Sequence, residues 1–121
     1  MPHYIENRPW GSFETLKKEP IKNQQQSDSN IKIITVQPEQ KVSYQSHKLR
    51  EEHWVFIQGR GKVILNDQEQ SVQAGTYVYV PQGAKHRVIN DGDIDLKFVE
   101  VTTGQFDEND IERFSDQYGR A

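Results

Sequence analysis

The chain has 121 residues, enough for one domain and too few for two; 33% are hydrophobic, and 15 Lys and Arg stand against 18 Asp and Glu for a net charge of −3. No basic cluster offers itself to a nucleic acid, and no run approaches the roughly 20 apolar residues that a membrane span needs. With no cysteine there is neither a disulfide framework nor a thiolate site, so a bound metal must draw on His, carboxylate or amide donors.

The first residues, Met1 to Glu6, lack the charged start and apolar run of a secretory leader, which points to the cytoplasm. Residues 20–30 (PIKNQQQSDSN) are mostly polar and read as a mobile surface loop. Short apolar or alternating runs follow at Ile31–Val36, Trp54–Gln58, Lys62–Leu65, Thr76–Val80 and Ile94–Val101. Turn signals separate them, among them Pro38-Glu39-Gln40, Gly59-Arg60-Gly61, Pro81-Gln82-Gly83 and Asn90-Asp91-Gly92. Strands at this spacing predict an all-β sandwich or barrel with its core over 31–101, inside a single domain 1–121. One short C-terminal helix is expected over Asp107–Phe114, with Asp107 as its cap.

Two groups of residues carry donors. In Gln45-Ser46-His47 the first and third side chains share one face of an extended strand, because side-chain direction alternates. A turn at Lys48-Leu49 follows, and Glu52 then opens the next strand. The second group is Gly75-x5-Pro81-x-Gly83-x2-His86-x3-Asn90, in which Pro and Gly make a tight turn and His86 begins the strand leaving it. Taken singly, His47 and His86 are equally well read as hydrogen-bonded core histidines, Gln45 as an ordinary polar strand residue, and Glu52 as a partner for Arg50 on the same face. Taken together, two imidazoles, a carboxylate and an amide make a mixed N/O set that suits Zn²⁺, with Fe²⁺, Mn²⁺, Co²⁺ and Ni²⁺ as alternatives. His53 faces away from Glu52 and reads as structural. Tyr77 and Tyr79 are either core or pocket wall.

The two groups resemble the paired motifs of the cupin superfamily, G(x)5HxH(x)3–4E(x)6G and G(x)5PxG(x)2H(x)3N. The second is matched at all its positions; the first is matched at His47, Glu52 and Gly59 and departs at its opening glycine and at Gln45. A Gln-x-His start resembles the type II phosphomannose isomerases. So do Arg8-Pro9-Trp10-Gly11-Ser12-Phe13, Arg50-x-Glu52-His53-Trp54, Pro81-x-Gly83-x2-His86-Arg87 and Arg113-Phe114-x-Asp116-x-Tyr118-Gly119-Arg120, together covering residues 8 to 120. The resemblance implies a cupin barrel (a double-stranded β-helix or jelly roll) with one divalent metal on Gln45, His47, Glu52 and His86. It also implies a metal-dependent aldose–ketose isomerase that interconverts mannose 6-phosphate and fructose 6-phosphate, the metal polarising O1 and O2 of the sugar. Many members carry this domain behind a mannose-1-phosphate guanylyltransferase domain and serve GDP-mannose biosynthesis; here the cupin is expected to stand alone.

For a phosphosugar, arginine forks are the natural ligands. Arg50 shares a strand face with Glu52 and is the first candidate, both for substrate and as a catalytic group beside Glu52. Arg87 belongs to the family's His-Arg pair, although strand parity turns it the other way; Lys41 and Arg120 come next. The proton-transfer base is left open. A homodimer is expected, with neither nucleic acid nor membrane as a partner. Two rivals stand beside the isomerase: a non-catalytic phosphosugar-binding module, and a metal-dependent dioxygenase, against which Gln45 counts.

Overall fold

The computed structural model describes residues 4–20, 28–105, 107 and 109–115. In chain order their strands are β1 (Tyr4–Arg8), β2 (Gly11–Pro20), β3 (Asp28–Val36), β4 (Tyr44–Ser46), β5 (Arg50–Gln58) and β6 (Arg60–Leu65). β7 (Gln68–Gln73), β8 (Tyr77–Val80), β9 (His86–Ile89), β10 (Leu96–Gly104) and β11 (Glu112–Ser115) complete the series. They form two antiparallel sheets, one ordered β1-β2-β3-β10-β5-β8 and the other β11-β4-β9-β6-β7. From β3 onward the chain passes repeatedly from one sheet to the other, which is the jelly-roll path of a double-stranded β-helix. No helix of the described residues is long and apolar enough to cross a membrane.

Alternation along the strands decides what fills the barrel. On β5 Glu52, Trp54 and Phe56 point inward while Val55 and Ile57 stay exposed; on β10 the inward set is Leu96, Phe98, Glu100 and Thr102. Cross-strand register sorts these side chains into rows. Phe98 lies between Ile34 and Phe56, Glu100 between Lys32 and Trp54, and Thr102 between Asn30 and Glu52. The barrel is therefore apolar at one end, where the Phe56 and Phe98 rings meet at 4.9 Å, and polar at the other. Trp54 sits on the boundary, 5.1 Å from Phe98 and edge-on to His86 at 5.5 Å.

Two glycine turns frame the barrel, Gly11 at the end where Val36 and Leu96 pair and Gly83 at the polar end. Gly11 closes the β1–β2 hairpin at φ +152°, and a Cβ there would lie 2.0 Å from the Thr35 carbonyl oxygen, so only glycine fits. Gly83, at φ +82°, donates its N–H to the His47 carbonyl at 2.7 Å, which ties the Pro81–Gly83 turn to the end of β4. Asn90 closes the opposite end. Its side chain is fully buried, donates to the Val36 and Ile94 carbonyls at 2.8 Å each, and accepts from Gly92 N–H at 2.9 Å.

One expectation needs revision. The helix over Asp107–Phe114 is replaced: Asp107 accepts the Asn109 N–H in a turn, and Glu112–Ser115 runs extended as β11 along β4. The exposed edge of β4 offers that segment inter-strand hydrogen bonds, which outweigh its helical preference. Of residues 20–30, Pro20 ends β2 and Asp28–Asn30 open β3, while 21–27 lie outside the described residues. The N-terminal hairpin β1–β2 extends the sheet beyond the 31–101 core.

Asn90→Ala removes one acceptor and both donors from three buried or half-buried backbone groups, at about 1–3 kcal/mol for each group left unpaired. Urea denaturation should show a loss of about 3 kcal/mol or more; a loss below about 1 kcal/mol would show that Asn90 does not hold this end of the barrel.

Candidate metal centre

His47, Glu52 and His86 come from three different elements and meet at the polar end of the barrel. All three are buried, and one donor atom from each lies within 4.8 Å of the others. The His47 and His86 ring centroids are 5.3 Å apart, and His47 Nε2 is 3.7 Å from Glu52 Oε2. Ligands held at about 2.0–2.2 Å from one ion lie about 3–3.6 Å apart, so this triad fits a small divalent cation after a slight contraction. Gln45 lines the same cavity and pairs in register with His86 across β4 and β9. Its Oε1 accepts from the buried Ser43 hydroxyl at 3.1 Å, which fixes the amide on that wall.

Each donor is oriented from behind. His47 Nδ1 lies 2.7 Å from the Asp110 carbonyl, and His86 Nδ1 lies 3.0 Å from the Ala84 carbonyl. A carbonyl oxygen only accepts, so both Nδ1 atoms carry the proton and both Nε2 lone pairs face the centre. Trp54 Nε1–H donates to Glu52 Oε1 at 2.9 Å, leaving Oε2 toward His47. Asp110 serves twice, because its carboxylate also accepts from Lys48 and Leu49 N–H at 2.8 and 2.9 Å. Burial works against that carboxylate, yet the two backbone N–H bonds hold its pKa below the ordinary aspartate value.

Electrostatics favour a cation here. Burial, reinforced by the Arg50 guanidinium, lowers the His47 pKa to about 4, and burial also lowers that of His86, so both rings are neutral ligands at physiological pH. The positive Arg50 already bridges two of the donors, with Nη2 2.9 Å from His47 Nε2 and Nε 3.5 Å from Glu52 Oε2. Beside them Glu100 is buried and hydrogen-bonded to Glu52; burial and then the Glu52 charge push its pKa up to about 8. Lys32, opposite Glu100 on β3, has its pKa lowered by burial, against the pull of Glu100.

These groups line one cavity of about 350 Å³, walled on its apolar side by Trp10, Phe13, Trp54 and Phe98. Gln45, His47, Arg50, Glu52 and His86 are brought together on it. Arg87 and Lys41 are not among its lining residues. Arg87 turns to the outer side as strand parity requires, donating to the Val42 carbonyl at 2.8 Å and to the Ser115 carbonyl at 2.9 Å, where it clamps β4 and β11. Lys41 forms an isolated bridge to Ile89, and Arg120 lies outside the described residues. His53 is on the outer face, bonded to the Tyr77 hydroxyl at 2.5 Å, and Tyr77 and Tyr79 are exposed there and not core. Seven polar lining groups were not foreseen as site residues: Arg8, Lys32, Ser43, Glu100, Asp107, Asp110 and Arg113. Glu100 shared the parity of Phe98 and Lys32 that of Ile34, a signal that both point inward.

A jelly-roll barrel with a His, Glu, His cluster at its polar end defines a cupin with a candidate metal centre. Among solved structures it resembles a capsular polysaccharide assembling protein, CapF, from Staphylococcus aureus (TM-score 0.78, 19% identity, 96% of this chain and 33% of that one). It also resembles a Klebsiella pneumoniae protein with a double-stranded β-helix domain (TM-score 0.68, 18% identity, 86% and 83% of the two chains). Residues 2–116 match the family described as Mannose-6-phosphate isomerase C-terminal, and the chain belongs to that family. A mannose-1-phosphate guanylyltransferase of Salmonella montevideo is 37% identical over 114 residues, and the alginate biosynthesis protein AlgA of Pseudomonas aeruginosa is 35% identical over 114. The alignments cover 93% of this chain but only 23% and 22% of those proteins, so the chain spans less than a quarter of their length.

The protonation pattern is directly measurable. Since the unfolded chain takes up a His proton near pH 6.5 and folded His47 only near 4, His47 contributes stability to the metal-free protein that grows as pH rises from about 4 to about 6.5. Long-range ¹H–¹⁵N NMR of metal-free protein should show both rings as the Nδ1–H tautomer and His47 titrating near pH 4. An ordinary midpoint near 6.5 for His47 would contradict the burial and the Arg50 contact.

Proposed function

We propose that the chain is a metal-dependent aldose–ketose isomerase acting on a phosphorylated hexose, interconverting mannose 6-phosphate and fructose 6-phosphate. The observation that carries this reading is the coexistence, in one cavity of about 350 Å³, of a cation-binding donor set, a separate buried carboxyl group and several cationic side chains. Family membership over residues 2–116 supports it. A further likeness is to a protein described as a putative sugar phosphate isomerase from Acidithiobacillus ferrooxidans (25% identity, TM-score 0.58, 65% of this chain and 51% of that one).

The ligands we assign are Gln45, His47, Glu52 and His86, with Zn²⁺ the first choice for a set of two imidazoles, a carboxylate and an amide. When bound, such a cation acts as a Lewis acid toward the C1 and C2 oxygens and favours the ionised form of the neighbouring Glu100. Everything else falls to the chain's own residues. Isomerisation removes the proton on C2 of the aldose, passes through an enediol, and delivers a proton to C1 of the ketose. Glu52 is a poor base while it serves as a ligand. Glu100 lines the cavity one row along from Glu52 and has no ligand role to fill, so we assign it the C2-to-C1 proton transfer. Arg50 lies against His47 and Glu52 at the same wall, where its guanidinium would be released to bind substrate oxygens if those donors held a cation. The Trp10, Phe13 and Trp54 walls limit access of water to the enediol.

In a coupled assay, the Zn²⁺-loaded protein should convert mannose 6-phosphate to fructose 6-phosphate. Glu100→Gln, which keeps a hydrogen-bond donor for Glu52, should retain the metal and lose about 10²- to 10⁴-fold in kcat. Absence of turnover with Zn²⁺, Fe²⁺, Mn²⁺, Co²⁺ and Ni²⁺, with fructose 6-phosphate still bound, would replace the isomerase by a non-catalytic phosphosugar-binding module. Full activity of Glu100→Gln would remove Glu100 from the proton path.

A further inference from the structure

We propose that Arg113 is the anchor for the anionic end of the ligand, a residue whose fork receives the phosphate of a sugar phosphate bound across the cavity. The inference rests on the phosphosugar reading above and adds to it the place of the phosphate and the direction in which the ligand lies.

Position comes first. β11 lays Arg113 opposite Gln45, and Gln45 lies opposite His86, so the three occupy one row across β11, β4 and β9. All three line the cavity. Adjacent strands are about 4.7–4.9 Å apart, which places the Arg113 backbone roughly 10 Å from that of His86. An extended ligand whose reacting end meets the donors of His47, Glu52 and His86 thus has Arg113 at its other end.

Satisfaction comes second. The Arg113 Nε atom is buried and has no hydrogen-bond partner, and among the described residues no ion pair is recorded for this guanidinium. A buried N–H without an acceptor is costly, so its persistence marks a group that a ligand completes. The other cations on the cavity wall have work of their own. Arg50 lies at the donors themselves, against His47 and Glu52, and so serves the reacting end; Lys32 faces Glu100, and Arg8 is paired with Glu6. The acidic neighbours do not compete for Arg113: the Asp110 carboxylate accepts Lys48 and Leu49 N–H, and that of Asp107 accepts Asn109 N–H.

Chemistry comes third. A planar guanidinium offers parallel N–H donors to two oxygens of a phosphate, which a lysine cannot reproduce. Arg87 cannot supply this fork, because backbone carbonyls on the outer side of the sheet hold it.

The test uses the full chain loaded with Zn²⁺, and reads fructose 6-phosphate affinity by calorimetry together with zinc content and melting temperature. Arg113→Gln should weaken fructose 6-phosphate binding about 10- to 100-fold with zinc content unchanged. Arg113→Lys, which keeps the charge and loses the fork, should fall between the two. Inorganic phosphate should compete with fructose 6-phosphate in the wild type and much less in Arg113→Gln. Unchanged affinity in both variants, or a parallel loss of zinc and sugar phosphate, would overturn the proposal, the second by making Arg113 merely structural. Arg113-dependent binding without turnover in the wild type would uphold it while removing the isomerase reading. Turnover with Arg113-independent binding would do the reverse.

Discussion

Two hydrogen bonds from imidazole N–H to backbone carbonyls govern the rest of the molecule's chemistry. The Asp110 and Ala84 carbonyls take the Nδ1 protons of His47 and His86, and this alone makes both Nε2 atoms available toward Glu52. Each carbonyl belongs to a segment with a structural task. Ala84 lies in the Pro81–Gly83 turn region that Gly83 ties to His47, and Asp110 lies in the passage that caps the β4–β5 turn and then delivers β11 to the edge of β4. Ligand orientation, turn geometry and the placing of Arg113 are thus parts of one arrangement.

The polar end of the barrel concentrates charge that an apolar core does not tolerate alone. Glu52 and Glu100 are both buried and share a hydrogen bond, and burial, reinforced by the nearby Glu52 charge, keeps Glu100 protonated at neutral pH in the metal-free protein. Arg50 supplies positive charge among His47 and Glu52. The arrangement is one that a divalent cation relieves, since a 2+ charge at the donors compensates Glu52 and frees the guanidinium for other contacts. Stability and function rest largely on different residues here: rows of Phe and Leu hold the barrel at one end, and the chemistry is confined to the other.

How much of this was legible in the sequence follows from which rules act locally. Period-two alternation and the Pro81–Gly83 turn were enough to foresee the strands of the barrel, because both are properties of neighbouring residues, whereas His47, Glu52 and His86 were gathered by the spacing they share with the cupin motifs. The same alternation turned Arg87 outward, where the structure places it, against its place in a family motif. Arg113 was named in a motif but not as a site residue, since a helix was expected over Asp107–Phe114 and only the unpaired edge of β4 makes that stretch a strand. The polar strand β7 and the N-terminal hairpin lacked an apolar alternation to announce them. Lys32 and Glu100, single charges within apolar runs, were not singled out, although they share the parity of Ile34 and Phe98.

X-ray absorption at the zinc edge on the Zn²⁺-loaded full chain tests the centre most directly. The structure predicts a single ion with two imidazole nitrogens and oxygen ligands at about 2.0–2.2 Å, the imidazole signal halved in His47→Ala and in His86→Ala. A shell of oxygens without imidazole scattering, or a spectrum indifferent to both substitutions, would show that the cluster at the polar end of the barrel is not a metal centre.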